Sequence, residues 1–380
     1  MCEYKSIYIH FPFCVRKCAY CDFYSETQLG LIPDYIKALE KEMTQRAVPD
    51  APIDTVYMGG GTPSLLDIKQ VELILGMIRD RVCVSPDAEI TMEINPGTVD
   101  SGYLAGLTGA GVNRLSIGVQ SFNDSKLVFL NRIHNADEAI RTIEYAGKAG
   151  FENISIDLIY GVPGETRASW IKDLKKALET GVSHISAYML TLEAGTPLAE
   201  QMKQGRFIPF DSDMMSLFFK MTSRYLNQAG FEQYEISNFS KKRRYRSRHN
   251  SKYWALIPYM GFGAAAHSYD GTARSWNHKS IEKYMAGLSS GLTGVEDQET
   301  LTLEQKLTEF IMLRLRTLEG IDLKEFQERF HISFQNRFEK ILSRILDEDL
   351  GFIEDDRFAL NLEGKTYLNS IVETFAAGIL

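Results

Sequence analysis

The 380-residue chain has only five cysteines, an odd number, so a disulfide framework is not what holds it together. No apolar run approaches the roughly 18 residues that a spanning helix needs, and Met1-Cys2-Glu3-Tyr4-Lys5 lacks the pattern of a signal peptide. These absences lead to the expectation of a cytoplasmic chain without a membrane span. There is no excess of positive charge either. Forty-two Lys and Arg against fifty Asp and Glu leave −8, which argues against a general nucleic-acid coat, so no nucleic-acid partner is expected. G-x-S-x-G, H-E-x-x-H and P-loop patterns are missing, which removes the common hydrolase, zincin and NTPase readings. With 44% hydrophobic and 24% charged residues, what remains is an ordinary globular composition.

Within that plain background the cysteines are concentrated. Cys14, Cys18 and Cys21 give C-x3-C-x2-C. Zinc is normally enclosed by four protein ligands, and no fourth Cys or His follows at finger spacing. Three thiolates are one short of a full set for a [4Fe–4S] cluster, which leaves one iron open for a small molecule. Three buried structural thiols are the plain alternative.

Short β-branched or aromatic runs recur at Ser6–His10, Thr55–Met58, Glu89–Glu93, Arg114–Val119, Ile154–Leu158 and His184–Met189, with amphipathic stretches at Pro33–Arg46, Ile68–Arg81, Asp137–Ala149 and Arg167–Glu179. Repeated β-then-α order predicts an α/β chain with a parallel sheet, and six units suggest a partial (β/α)6 barrel, with a doubly wound sheet as the alternative. This reading assigns residues 1–237 to the core. Residues 238–300 read as a basic-aromatic connecting segment. Residues 301–380 read as a small helical, winged-helix-like domain with a hairpin near Gly351–Glu354 and Phe358–Asn361.

In barrels the chemistry collects at the C-terminal strand ends, and the unusual residues fall there. Gly59-Gly60-Gly61-Thr62-Pro63 follows the second strand, where a tight turn or close backbone approach to a ligand would each call for glycine. Glu93 and Gln120 end the third and fourth strands, and Asp157 lies within the fifth. Such groups are costly in apolar strands unless paired. Arg132 offers a planar fork for a carboxylate. Further on, Lys241–Arg248 is densely basic and precedes His249-Asn250-Ser251-Lys252-Tyr253-Trp254. An imidazole can ligate haem iron beside rings that pack on a macrocycle and cations that meet propionates, while a structural histidine and a solvated charged face are the plain alternatives.

From Tyr8-Ile9-His10-Phe11-Pro12-Phe13-Cys14 to Cys21-Asp22-Phe23 the chain resembles the cluster loop of radical S-adenosylmethionine (SAM) proteins, in the branch containing the oxygen-independent coproporphyrinogen III oxidases. The resemblance implies a [4Fe–4S] cluster on Cys14, Cys18 and Cys21. It also implies SAM contacts by Tyr8, Gly60, Gly61, Thr62, Glu93, Gln120, Arg132 and Asp157, with Tyr20 packing on the cluster or adenine. The decarboxylating oxidases carry a further cysteine where this chain has Phe23, and a longer segment before the loop. Both differences are similar to the sister group, the HemW-type haem chaperones. The H-N-x-x-Y-W stretch also resembles that group's haem-associated motif, implying haem contacts by His249, Asn250, Tyr253 and Trp254. The expected function is therefore to hold haem as cargo and pass it to apo-haemoproteins, with cluster and SAM in support and a homodimer in prospect. Radical decarboxylation of coproporphyrinogen III is the alternative.

Overall fold

The computed structural model describes residues 4–46 and 51–379, so the Met1–Glu3 part of the leader reading lies outside the described residues. Six strands, β1 (Ser6–Phe11), β2 (Ile53–Gly60), β3 (Val84–Ile94), β4 (Arg114–Gln120), β5 (Asn153–Tyr160) and β6 (His184–Met189), pair in parallel and in chain order. A doubly wound sheet reverses order at a switch point. This one does not, so the six units form the partial barrel. Helices Ile32–Gln45, Ile68–Arg79, Ser101–Ala110, Ala136–Lys148, Arg167–Glu179 and Ser212–Gln228 follow the strands. Three of them start at capping boxes, Asp67 with Gln70, Asn135 with Glu138 and Thr166 with Ser169, which satisfy otherwise orphaned N–H groups.

Strand periodicity decides which face meets which neighbour. Ile7, Ile9, Val56, Met58, Leu115, Ile117, Ile156 and Ile185 join one apolar cluster with Leu39, Ile74, Leu104 and Leu174 of the surrounding helices. The alternate positions, among them Tyr8, Tyr57, Glu93, Arg114, Ser116 and Asp157, share the opposite, interior face. The barrel interior is thus polar along its length.

The segment 238–300 adds strands to the core sheet. After β7 (Glu232–Gln233), it contributes β8 (Asn238–Ser240), β9 (Tyr259–Phe262), β10 (His267–Tyr269), β11 (Ala273–Asn277) and β12 (Val295–Thr300) to the same twelve-stranded sheet. β8 runs antiparallel to β6 at one edge, and β9 runs parallel to β1 at the other. Most of these strands are too short to show a period, and the glycine in Tyr259-Met260-Gly261-Phe262 reads as loop although it sits in a ladder.

Beyond residue 301 a second apolar cluster forms around Phe310, Phe326, Phe334, Phe338, Phe358 and Phe375. It is closed by a three-stranded sheet of β13 (Ile321–Asp322), β14 (Gly351–Glu354) and β15 (Arg357–Leu360) in the order β13-β15-β14. Asp355 and Asp356, with φ of 48° and 57°, make the two-residue turn of the β14–β15 hairpin. Helices with this hairpin give the winged-helix-like arrangement. Among the described residues no helix is long and apolar enough to cross a membrane.

Candidate functional site

β1 leads straight into the cysteine loop at the C-terminal mouth of the barrel. Backbone bonds from Glu26 N–H to Pro12 O (2.6 Å) and from Cys14 N–H to Glu26 O (2.8 Å) tie the two ends of the loop together. Cys14, Cys18 and Cys21 are half-buried. The Thr62 hydroxyl donates to Cys14 Sγ at 3.5 Å, and Arg132 Nη1 donates to Cys18 Sγ at 3.2 Å. Burial pushes the Cys21 thiol up to about 11 and raises that of Cys14, so these groups stay protonated until a cation draws the proton off. Among the described residues no three His, Cys, Asp or Glu side chains are grouped to hold a single metal ion. Three thiols spaced along one loop fit the larger footprint of a cluster, where each thiolate takes a different iron.

Arg132 is fixed from three sides. Besides Cys18, its Nη2 donates to Gly118 O at 2.8 Å and to Asn95 Oδ1 at 3.2 Å, while Nε has no protein partner. The Tyr20 phenol lies beside it, and burial raises that phenol strongly. Gln120, with φ of 65°, ends β4 in a conformation rare outside glycine; a Cβ on Gly118 would stand 3.0 Å from its Nε2 and 3.2 Å from Arg132 Nη2. Such local strain at a strand end is where binding residues collect.

Glu93 accepts from the Tyr57 hydroxyl at 2.8 Å and from Gly60 N–H at 3.1 Å. Burial pushes its carboxyl up to about 7 against the pull of those donors. Asp157 accepts from Ser116 Oγ at 3.2 and 3.4 Å, and burial raises it as well. Tyr8 bonds His10 Nδ1 at 2.9 Å and stacks on Tyr57 at 6.1 Å.

The glycine triplet has a packing reason of its own. A methyl on Gly61 would sit 2.6 Å from Phe13 O and 2.9 Å from Phe13 N, both backbone atoms immediately before Cys14. Gly60 combines φ of +113° with a Cβ position 2.7 Å from the His10 ring. Gly61→Ala is therefore expected to cost about 2 kcal/mol or more, because backbone cannot yield as a side chain does. It should also displace the cysteine loop. A thermal melt superimposable on wild type would contradict this account.

The H-N-x-x-Y-W stretch lies at the other end of the barrel. It forms the helix Arg248–Trp254, which closes the N-terminal end beside the starts of β2 and β3. Glu89 accepts from the N–H groups of Arg248 and His249 at 2.9 and 3.0 Å. Lys252 pairs with Asp54 and donates to Lys5 O at 3.0 Å. His249 is only 1% exposed, with Nδ1 bonded to Thr55 Oγ1 at 3.0 Å and Nε2 to Tyr253 Oη at 2.8 Å. Asn250 is half-buried, and its N–H is capped by Ser247 Oγ at 3.2 Å. Trp254 is half-buried under the Arg316 guanidinium, 4.9 Å from its ring. The basic run upstream is partly spent as well, since Arg246 pairs with Glu232 and Glu319. Exposed Lys242, Arg243 and Arg244 remain on the outer surface.

The structure therefore gathers Cys14, Cys18, Cys21, Tyr20, Thr62, Gln120 and Arg132 at the mouth, with Gly60 and Glu93 next to them and Asp157 across from Glu93. It places His249, Asn250, Tyr253 and Trp254 at the opposite end, with the imidazole closed off in this conformation. Sequence reasoning passed over Tyr57, Asn95 and Ser116. The signal was the period-two polar series Thr55-Tyr57-Gly59 and Arg114-Ser116-Gly118 in strands whose other positions are apolar.

Residues 8–177 match the Radical SAM superfamily, and residues 301–366 match the HemN C-terminal domain. The chain is 35% identical over 374 residues to the Heme chaperone HemW of Mycobacterium tuberculosis, covering 97% of this chain and 94% of that protein. It is 35% identical over 385 residues to that of Escherichia coli (98% of each chain) and 33% over 377 residues to that of Bacillus subtilis (98% and 99%). Among solved structures, the E. coli coproporphyrinogen III oxidase HemN superposes with a TM-score of 0.85 at 22% identity, over 98% of this chain and 90% of that one, a likeness of fold. With relatives this similar along its whole length and that fold, the chain belongs to the HemW family of radical SAM proteins.

Proposed function

We propose that this chain binds haem and hands it to apo-haemoproteins, with a [4Fe–4S] cluster on Cys14, Cys18 and Cys21 and SAM at the barrel mouth. The observation that carries the cofactor half is three half-buried thiols on one loop, met from outside it by Thr62 at Cys14 and the Arg132 guanidinium at Cys18. A cluster held there supplies an open iron and one-electron chemistry. The chain's own residues do the rest. Arg132, whose Nε is unpartnered, is placed to meet a carboxylate; Glu93 and Asp157 accept from an ammonium or ribose hydroxyls; Gly60 and Gly61 keep the mouth free of side chains.

The haem half is supported by the naming of the relatives as haem chaperones, and by Phe23, which stands 72% exposed where the oxidases carry a cysteine. In this reading haem meets the Arg248–Trp254 helix from outside, with Lys242, Arg243 and Arg244 for the propionates. Ligation by His249 requires the helix to withdraw, exchanging the bonds to Thr55 and Tyr253 for iron. An anaerobic haem titration of wild type and His249→Ala, followed by absorbance, tests this. Saturable binding by wild type with a spectral shift in the variant supports it. Absence of specific binding by the cluster-loaded wild type overturns the chaperone reading, and turnover of coproporphyrinogen would put the enzyme in its place.

A further inference from the structure

Arg114 opens β4 on the interior face of the barrel, two residues before Ser116. It is 2% exposed, and its Nε has no protein partner. Ser116 is the register partner of Glu93 on β3, and its hydroxyl donates to Asp157 on β5. Two carboxylates therefore meet β4 at Ser116, one on each neighbouring strand and two residues along the same face from Arg114.

A guanidinium buried without opposite charge costs several kcal/mol. The other buried cations near it are committed: Arg132 to Cys18, Asn95 and Gly118, and Lys252 to Asp54 and Lys5. Glu89 is spent on the backbone of Arg248 and His249. His184, between Ser155 Oγ and Tyr234 Oη at 2.7 Å each, and His249 have both ring nitrogens bonded to hydroxyls. Arg114 and Arg132 both face Asp157, and Arg114 is the cation that faces Glu93 as well.

We propose that Arg114 is a positioning residue, the shared counter-charge that keeps Glu93 and Asp157 ionised to receive the ammonium group and ribose hydroxyls of S-adenosylmethionine. The ligand part rests on the function proposed above. The remaining groups facing Glu93 are Tyr8 on β1, Tyr57 and Gly60 N–H on β2, Asp157 on β5 and Tyr253 of the closing helix. Those facing Asp157 are Glu93, Tyr57, Ser116, Arg132, Ser186 and Tyr188. Burial raises both carboxyls, and Arg114 opposes the rise at each. Without it both keep their protons to higher pH.

The test begins with the ligand-free chain. Side-chain 13C titration of Glu93 and Asp157 is compared in wild type, Arg114→Gln and Arg114→Lys. The Gln variant should titrate about one pH unit higher at Glu93, and Lys should restore most of that shift. SAM itself is then measured by equilibrium dialysis on cluster-reconstituted protein. Affinity at neutral pH should fall about tenfold in the Gln variant and recover as pH rises, because deprotonation then proceeds without the guanidinium. A folded Gln variant with unmoved carboxyl titrations overturns the proposal. If Arg114→Gln does not fold, Glu93→Gln in the same chain should restore folding, and failure of that rescue also overturns it. Wild type that titrates as described and yet binds no SAM sinks the ligand reading, while the carboxyl titration still decides the role of Arg114.

Discussion

Serine in place of Cys14, Cys18 or Cys21 is expected to abolish the cluster's broad visible absorbance and its bound iron in anaerobically reconstituted protein. The argument is one of ligand number. With three protein thiolates for four irons there is no spare donor, and a serine oxygen does not replace a soft thiolate toward iron. No alternative donor set is at hand, since among the described residues no three Cys, His, Asp or Glu side chains are grouped to hold a metal ion. Cys83 is exposed before β3 and serves as the control, so Cys83→Ser should leave iron content unchanged. Because burial holds Cys14 and Cys21 protonated, assembly should also release protons, which a weakly buffered titration would register. Full iron content in any of the three serine variants would falsify the assignment.

His249→Ala should be the most destabilising of the single changes considered, by about 3 kcal/mol. It empties a buried ring position and leaves Thr55 and Tyr253 without their shared partner. The sign of its pH dependence follows from burial, which, with the Arg114 charge, lowers the imidazole from 6.5 to about 3. The unfolded chain then takes up a proton below 6.5 that the folded chain refuses. The contribution of neutral His249 is thus intact above 6.5 and is lost as pH falls toward 3. His10 and His134, each lowered to about 4 mainly by burial, act in the same direction. Glu93 acts oppositely: its carboxyl is raised to about 7, so acidification below 7 relieves a cost. Denaturant melts across this range should give the His249 variant a shallower acid limb, by about 1.4 kcal/mol per pH unit. An acid limb as steep as that of wild type would show that His249 titrates freely and is not closed inside the barrel.

The first six strands and four of the helices around them were legible because each announces itself locally, whereas the helices Ser101–Ala110 and Ser212–Gln228 went unread. Thr166 with Ser169 caps a helix that runs over Arg167–Glu179, as expected, and β6 runs over His184–Met189, also as expected. Arg114–Gln120 reads as a strand because Leu115, Ile117 and Val119 alternate with polar partners. The edges of the sheet were not legible in this way. β8 has three residues and β9 has four, and their pairing with β6 and β1 comes from contacts far away in sequence.

The cysteine spacing, the glycine triplet and the polar strand ends were visible in the sequence because parallel β/α units bring the C-terminal strand ends to one rim whatever the intervening lengths. Tertiary structure alone decided which polar groups meet. Tyr57 reaches Glu93 across 36 positions, and Arg132 reaches Cys18 across 114. It also decided that His249 and its helix close the far end of the barrel rather than facing the cysteine loop. Local propensity can state that a residue is unusual and on which strand face it lies. Partner and burial depend on the register of strands far apart in the chain, and those set both the distance and the desolvation that give each group its chemistry.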